Sequence, residues 1–258
     1  MTAAAPLEWP VFDSHFHIID KHFPLIPNQG FVPEEFTCGN YRAAMGEYNL
    51  IGGALVSGSF QGFDQSYLIA ALAHLGPSFV GVTQLPAEIS DAQIMQLHQA
   101  GVRAARFNIR RGGSQDLTHL NNLAARIYAL AGWHVELYID AQALAELSPS
   151  LLNLPAVSID HLGLSKAGLP HLLRLAERGV RVKACGFSRV DFAIAPVLKD
   201  FFNANPNALM FGTDLPSTRA PRPYAQEDFL LVAHSLGERA ARKVLSENGR
   251  LFYGLLPG

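Results

Sequence analysis

Residues 11–19 read VFDSHFHII, an apolar, β-branched run in which Asp13, His15 and His17 fall on alternating positions. Alternate residues of a strand point to the same side, so these three are expected on one face and Phe12, Ser14 and Phe16 on the other. A strand that ordinarily buries apolar side chains here aims three polar ones the same way. That suits the inside of a barrel whose mouth carries chemistry.

Seven further runs of the same kind follow: GGALVS (52–57), FVGVTQL (79–85), VRAARFNI (102–109), HVELYID (134–140), AVSIDHL (156–162), VRVKACG (180–186) and LMFGTD (209–214). Between most of them lie stretches with helical spacing, among them SDAQIMQLHQA (90–100), LTHLNNLAARIYALAG (117–132) and GLPHLLRLAERG (168–179). Two of these three close on the glycine that helix C-termini favour. Eight strand and helix alternations in 258 residues predict an α/β fold, a (β/α)8 TIM barrel forming one domain over residues 1–258. A doubly wound open sheet would show a glycine-rich dinucleotide fingerprint after its first strand, or a P-loop, and the sequence has neither. The one long connection, KHFPLIPNQGFVPEEFTC (21–38), is expected to cover the barrel mouth as a lid.

The 20 basic and 22 acidic residues nearly balance, giving a net charge of −2, and 49% of residues are hydrophobic. This is the composition of a soluble globular protein with no nucleic-acid or membrane partner. The densest basic cluster, RAARFNIRR (103–111), reads as a local anion site or a solvated face. Cys38 and Cys185 stand too far apart for metal-pair spacing or a disulfide framework. The opening MTAAAPLEWP has no basic leader, and no segment approaches the roughly 18 apolar residues of a membrane span, so the expected location is cytoplasmic.

Polar residues recur near the ends of the other runs: Arg106 in ARFN, Tyr138 in LYID, His161 in IDHLG, Lys183 in VKACG and Asp214 in GTDLP. Taken singly, each has an ordinary structural explanation, such as a hydrogen-bonded rim histidine or a buried ion pair. A His-x-His ending the first strand together with an aspartate ending the eighth is more specific, since a buried unpaired Asp214 requires a partner or a role. His74, His98, His119, His171 and His234 fall in helical stretches and are expected to face solvent, while His134 begins a strand at the opposite end of the barrel.

DSHFH, ARFN, IDHLG and FGTDLP, in this order and spanning nearly the whole chain, resemble the amidohydrolase superfamily. The closest resemblance is to its branch of 2-pyrone-4,6-dicarboxylate lactonases and related sugar and muconate lactonases. The resemblance implies a distorted barrel with His15, His17, His161 and Asp214 at its mouth. Metal-dependent members add a histidine at the end of strand five, where this chain has Tyr138. The strand-four lysine or glutamate that bridges two metals is replaced here by Arg106. The lactonase pattern, with tyrosine on strand five and histidine on strand six, implies catalysis without a cofactor. The alternative is a single zinc held by His15, His17 and Asp214, with His161 as an optional fourth ligand.

The mechanism that follows from the resemblance uses Asp214 as general base on a water, with His15, His17 and His161 donating to the carbonyl or the leaving oxygen. Arg106 would hold a substrate carboxylate through its planar fork. Arg189 in GFSRVD would hold a second with Tyr138 as a further donor, or Arg219 or Arg222 in STRAPRP would take its place. After Asp214 the chain reads LPST where the branch often has tryptophan, proline and histidine, so the ring acted on can differ. The competing functions are a mononuclear zinc hydrolase or non-oxidative decarboxylase of the same superfamily, and a non-catalytic barrel that binds a small anion. The expected partner is a small-molecule substrate carrying carboxylate, and the sequence carries no signal of oligomeric state.

Overall fold

Each of the eight runs forms a strand: β1 (Val11–Phe16), β2 (Leu50–Val56), β3 (Phe79–Thr83), β4 (Val102–Asn108), β5 (His134–Tyr138), β6 (Val157–Ile159), β7 (Arg181–Ala184) and β8 (Leu209–Phe211). They pair in chain order, every pair parallel. The structure is a computed structural model that describes residues 6–255; residues 1–5, part of the stretch read for a leader, lie outside the described residues. A helix follows each strand: α1 (Cys38–Ala44), α2 (Ser66–Leu75), α3 (Asp91–Gln99), α4 (Leu120–Ala131), α5 (Leu144–Leu152), α6 (Leu169–Glu177), α7 (Ile194–Ala204) and α8 (Gln226–Leu236). The circle closes where the Asp214 amide donates to the His15 carbonyl and the His17 amide to the Leu215 carbonyl, both at 2.7 Å. The fold is a (β/α)8 barrel.

Local chemistry sets the element ends. Ser90 accepts from the Gln93 amide while the Gln93 side chain accepts from the Ser90 amide, a capping box that starts α3. Gly132, at φ 68°, takes the left-handed conformation that ends α4. The main core lies between sheet and helices, where Phe16 stacks on Tyr41 at 3.9 Å and meets Phe79 edge-on. A smaller cluster of Phe12, Ala54, Val56, Val80, Val82, Ala104 and Tyr253 fills the amino-terminal end of the barrel interior. Among the described residues, no helix is long and apolar enough to cross a membrane.

One expectation about β1 is corrected. His15 and His17 face the interior, but Asp13 does not share their face, because the β1–β2 register shifts between Asp13 and Phe16 and the alternation breaks there. The Asp13 carboxylate instead accepts from the Thr213 amide (2.8 Å), the Thr213 hydroxyl (2.7 Å) and the Tyr41 hydroxyl (3.1 Å). Burial pushes its pKa up to about 6 in spite of these donors. The 21–38 segment lies against the mouth. Ile26 donates its amide to the Phe60 carbonyl, Asn28 donates to the Arg111 carbonyl, and Arg219 bonds Asn28 while lying 4.4 Å over the Phe31 ring.

Strand closure leaves no room for a side chain at Gly212, where a Cβ would stand 2.8 Å from both the Cβ and the amide nitrogen of His15. Gly212→Ala should therefore lower the unfolding free energy by about 1–3 kcal/mol, measured by urea titration. Wild-type stability in that variant would mean that β8 and β1 have slack that these distances do not show.

Candidate active site

His15 and His17 lie at the carboxyl end of β1. His161 follows β6 in a tight turn and Asp214 follows β8, with φ angles of 51° and 62°. L-residues rarely adopt this left-handed region, so the surrounding packing must hold them there. The turns converge. Asp214 Oδ1 is 3.7 Å from His15 Nε2 and 3.6 Å from His17 Nε2, and the His15 ring meets those of His17 and His161 edge-on at 5.0 and 4.8 Å. Tyr138 packs edge-on against His161 at 4.8 Å, and the Arg106 guanidinium lies 5.4 Å over the Tyr138 ring.

One pocket is lined by His17, Tyr138, His161 and Asp214 together with Arg106, Arg111, Arg189 and Arg219. The four arginines, all near one mouth, make it strongly cationic in a chain whose net charge is only −2. Arg222, the other arginine weighed as a carboxylate ligand, turns away to pair with Asp228. Arg111 and Asn108 belong to the pocket but were not singled out as site residues, although both lie within or beside the basic cluster that marked an anion site.

The charges are distinct. Burial lowers the His15 pKa to about 4 and holds that of His161 well below its usual value, so both rings are neutral at pH 7. Burial alone would push Asp214 up, but the Arg189 guanidinium, whose Nε donates to Oδ2 at 2.7 Å, holds its carboxyl below the ordinary range. This leaves Oδ1 as the free edge of an ionised carboxylate, facing the histidines. His17 Nδ1 is 2.6 Å from the Val56 carbonyl, which can only accept, so that nitrogen carries a proton, and a neutral ring would leave the lone pair on Nε2.

Arg106, expected to hold substrate, is already engaged. Its Nε and Nη2 donate to Asp160 Oδ2 at 3.2 and 2.8 Å and its Nη1 to the Ser57 carbonyl at 2.7 Å. Asp160, quoted above only as part of IDHLG, is the missed partner. Lys183 is not at the mouth: it points into the barrel beneath the pocket and pairs with the fully buried Glu136, which also accepts from Tyr253 and lies 3.0 Å from His134. The alternation of β5 could have exposed Glu136, since it shares the inward parity of Tyr138.

Removing one member of a buried ion pair strands the other charge. Arg106→Met should lose about 3–5 kcal/mol of stability in urea unfolding. Adding Asp160→Asn to that variant should restore more than half of the loss, and a double variant no more stable than the single one would contradict the pairing.

Comparison with known proteins agrees with this fold. The sequence model of the amidohydrolase family matches residues 12–255. A relative from Comamonas testosteroni, named 2-pyrone-4,6-dicarboxylate hydrolase, is 32% identical over 156 residues, which cover 58% of this chain and 51% of that protein. The match thus spans about half the length of the curated relative. A Pseudomonas putida structure, provisionally named a 2-pyrone-4,6-dicarboxylic acid hydrolase, superposes with a TM-score of 0.79 at 25% identity, covering 98% of this chain and 99% of the other. An unliganded Agrobacterium tumefaciens protein shares the fold, with a TM-score of 0.84 at 21% identity over 99% and 100% of the two chains. With nearly its full length matched by the family, the chain belongs to the amidohydrolases.

Proposed function

We propose that this protein hydrolyses a small carboxylated lactone of the 2-pyrone-4,6-dicarboxylate type. The observation that carries the reading is a single pocket that joins four arginines to an ionised aspartate with a free carboxylate edge and to a cluster of histidines. The names of the Comamonas and Pseudomonas relatives support the same substrate class. A water held on Asp214 Oδ1 attacks the ring carbonyl and gives up a proton to that oxygen. Ring nitrogens that carry a proton stabilise the developing oxyanion, the ring C–O bond breaks, and the leaving oxygen takes the proton back. Because Arg189 makes Asp214 a weak base, alignment and oxyanion stabilisation supply most of the rate enhancement.

The pocket has a free volume of about 30 Å3, room for about one or two waters. The arginines that line it would meet a dicarboxylated ring by exchanging partners. Arg111 has no acidic partner among the described residues and is available at once, whereas a carboxylate that draws Arg189 off Asp214 strengthens the base as it binds. Binding and activation are then one event.

Amidohydrolases typically use a metal, and the residues here fit one: His15, His161 and Asp214 offer ligand atoms within 4.8 Å of one another. His15 Nε2 and Asp214 Oδ1 are buried without hydrogen-bond partners, as ligand atoms would be. His17 Nε2 lies beside them, 3.6 Å from Asp214 Oδ1. Such a nitrogen and oxygen donor set suits a single zinc, which when bound would polarise the carbonyl and acidify water. We propose the metal-independent reaction first, with a single zinc as the second reading.

With 2-pyrone-4,6-dicarboxylate and a panel of smaller lactones followed by absorbance, protein dialysed against a chelator should retain turnover. Asp214→Asn should lose at least about 100-fold in kcat while KM changes little. Full turnover by Asp214→Asn would end the mechanism, and loss on chelation with recovery on adding zinc would select the second reading. Arg189→Met should raise KM and bring an acid limb into kcat/KM. Without the guanidinium, burial dominates and raises the Asp214 pKa, so activity falls as pH drops through a range where the wild type stays flat.

A further inference from the structure

The mechanism leaves Lys183 and Glu136 unused, although both are completely buried directly beneath the catalytic histidines. Lys183 Nζ donates to Glu136 Oε2. It also lies 3.4 Å from His15 Nδ1 in hydrogen-bonding geometry and 3.8 Å from Asp160 Oδ1. Asp160 Oδ1 is likewise 3.4 Å from His15 Nδ1 and raises the His15 pKa from that side. Two groups therefore compete for one ring nitrogen. The carboxylate would favour a proton on Nδ1, whereas the ammonium, which can only donate, requires a lone pair there.

We propose that Lys183, anchored by Glu136, is a positioning residue that fixes neutral His15 as its Nε2–H tautomer. His17 is fixed the opposite way, because the Val56 carbonyl keeps its proton on Nδ1. The two histidines of HFH then present unlike nitrogens to Asp214 and the pocket: His15 a donor, His17 a lone pair. A pair of metal ligands would need two lone pairs, and a metal-bound histidine ordinarily gives its other N–H to an acceptor rather than facing an ammonium. His17 has such an acceptor. His15 has Lys183 in the hydrogen-bonding position, so a cation could take its Nε2 only after the proton moved to Nδ1. The same residue explains how a neutral imidazole there supplies an N–H to an oxyanion. The inference goes beyond the proposed reaction, because it concerns the position of one proton and holds whichever ring the pocket accepts.

Long-range proton–nitrogen NMR spectra of the full chain labelled with 15N-histidine read the tautomer directly, with His15 assigned by the signal lost in His15→Asn. In the wild type at neutral pH, His15 Nδ1 should resonate as an unprotonated and Nε2 as a protonated ring nitrogen, with His17 the reverse. In Lys183→Met the His15 proton should move to Nδ1, toward Asp160. Because that variant strands Glu136, Lys183→Met/Glu136→Gln, with both charges removed, should show the same shift, while unaltered signals from the other histidines confirm the fold. A protonated Nδ1 on wild-type His15 would overturn the proposal, as would an unchanged His15 tautomer in a folded variant. Neither outcome depends on turnover, so the lactonase reading stands or fails separately.

Discussion

The hydrogen bond from the Asp214 amide to the His15 carbonyl closes β8 onto β1 and, with the same two residues, assembles the site. Neither strand could shift without moving a side chain of the candidate site, because the backbone atoms that complete the barrel belong to His15 and Asp214 themselves. Gly212, one step beyond β8, permits the approach. Thr213 then fastens Asp13, so three consecutive residues after β8 are committed to holding β1. The left-handed backbone at Asp214 follows from this: the chain must turn sharply to place the carboxylate above the barrel axis while its amide stays in the closing bond.

Below the site, the barrel interior changes from apolar to ionic. Phe12, Ala54, Val56, Val80, Val82 and Ala104 fill its floor, and above them Tyr253, Glu136, Lys183, Asp160 and Arg106 form a continuous polar chain up to the pocket. Carboxylates and cations alternate along it, which makes such burial tolerable. Burial alone would raise the Glu136 and Asp160 pKa values, yet both are held below the ordinary range by the charges around them, Glu136 chiefly by Lys183 and Asp160 with Arg106 and Lys183 beside it. The column works as a rigid charged scaffold under neutral histidines. Its upper members are the groups nearest to His15.

The fold was legible because a parallel barrel writes itself into sequence as repeated apolar runs, and the strands fall where those runs lie. The positions of His15, His17, His161 and Asp214 at one mouth were legible for the same reason: strand ends on the same side of a barrel converge. Pairing partners were not. Nothing in ARFN says that Arg106 reaches Asp160, 54 residues away, because an ion pair across the barrel depends on rotamers and register rather than on local pattern. Asp13 misled for a simpler reason: a register shift is one residue long and leaves no mark in an otherwise alternating strand. Lys183 was visible as a polar residue in an apolar run, but its depth was not, because β7 spans only Arg181–Ala184 and a shift of one step separates mouth from interior.

The arginines connect this architecture to specificity. In the unliganded chain, Arg106 is held by Asp160, Arg189 by Asp214 and Arg219 by Asn28, so most of the cationic charge at the mouth is engaged with partners inside the protein. An anion gains affinity only to the extent that it replaces these partners better than water does, and the replacements are unequal. Asp160 is completely buried and bonded to two nitrogens of Arg106, so giving it up would strand a charge. Asp214 is as buried as Asp160, but Arg189 holds it through one nitrogen rather than two. A substrate with two carboxylates spaced to meet Arg111 and Arg189 would release that ion pair and leave the doubly bonded one intact. On the proposed reading, anions would be told apart by what each arginine has to surrender, which the count of positive charges alone does not give.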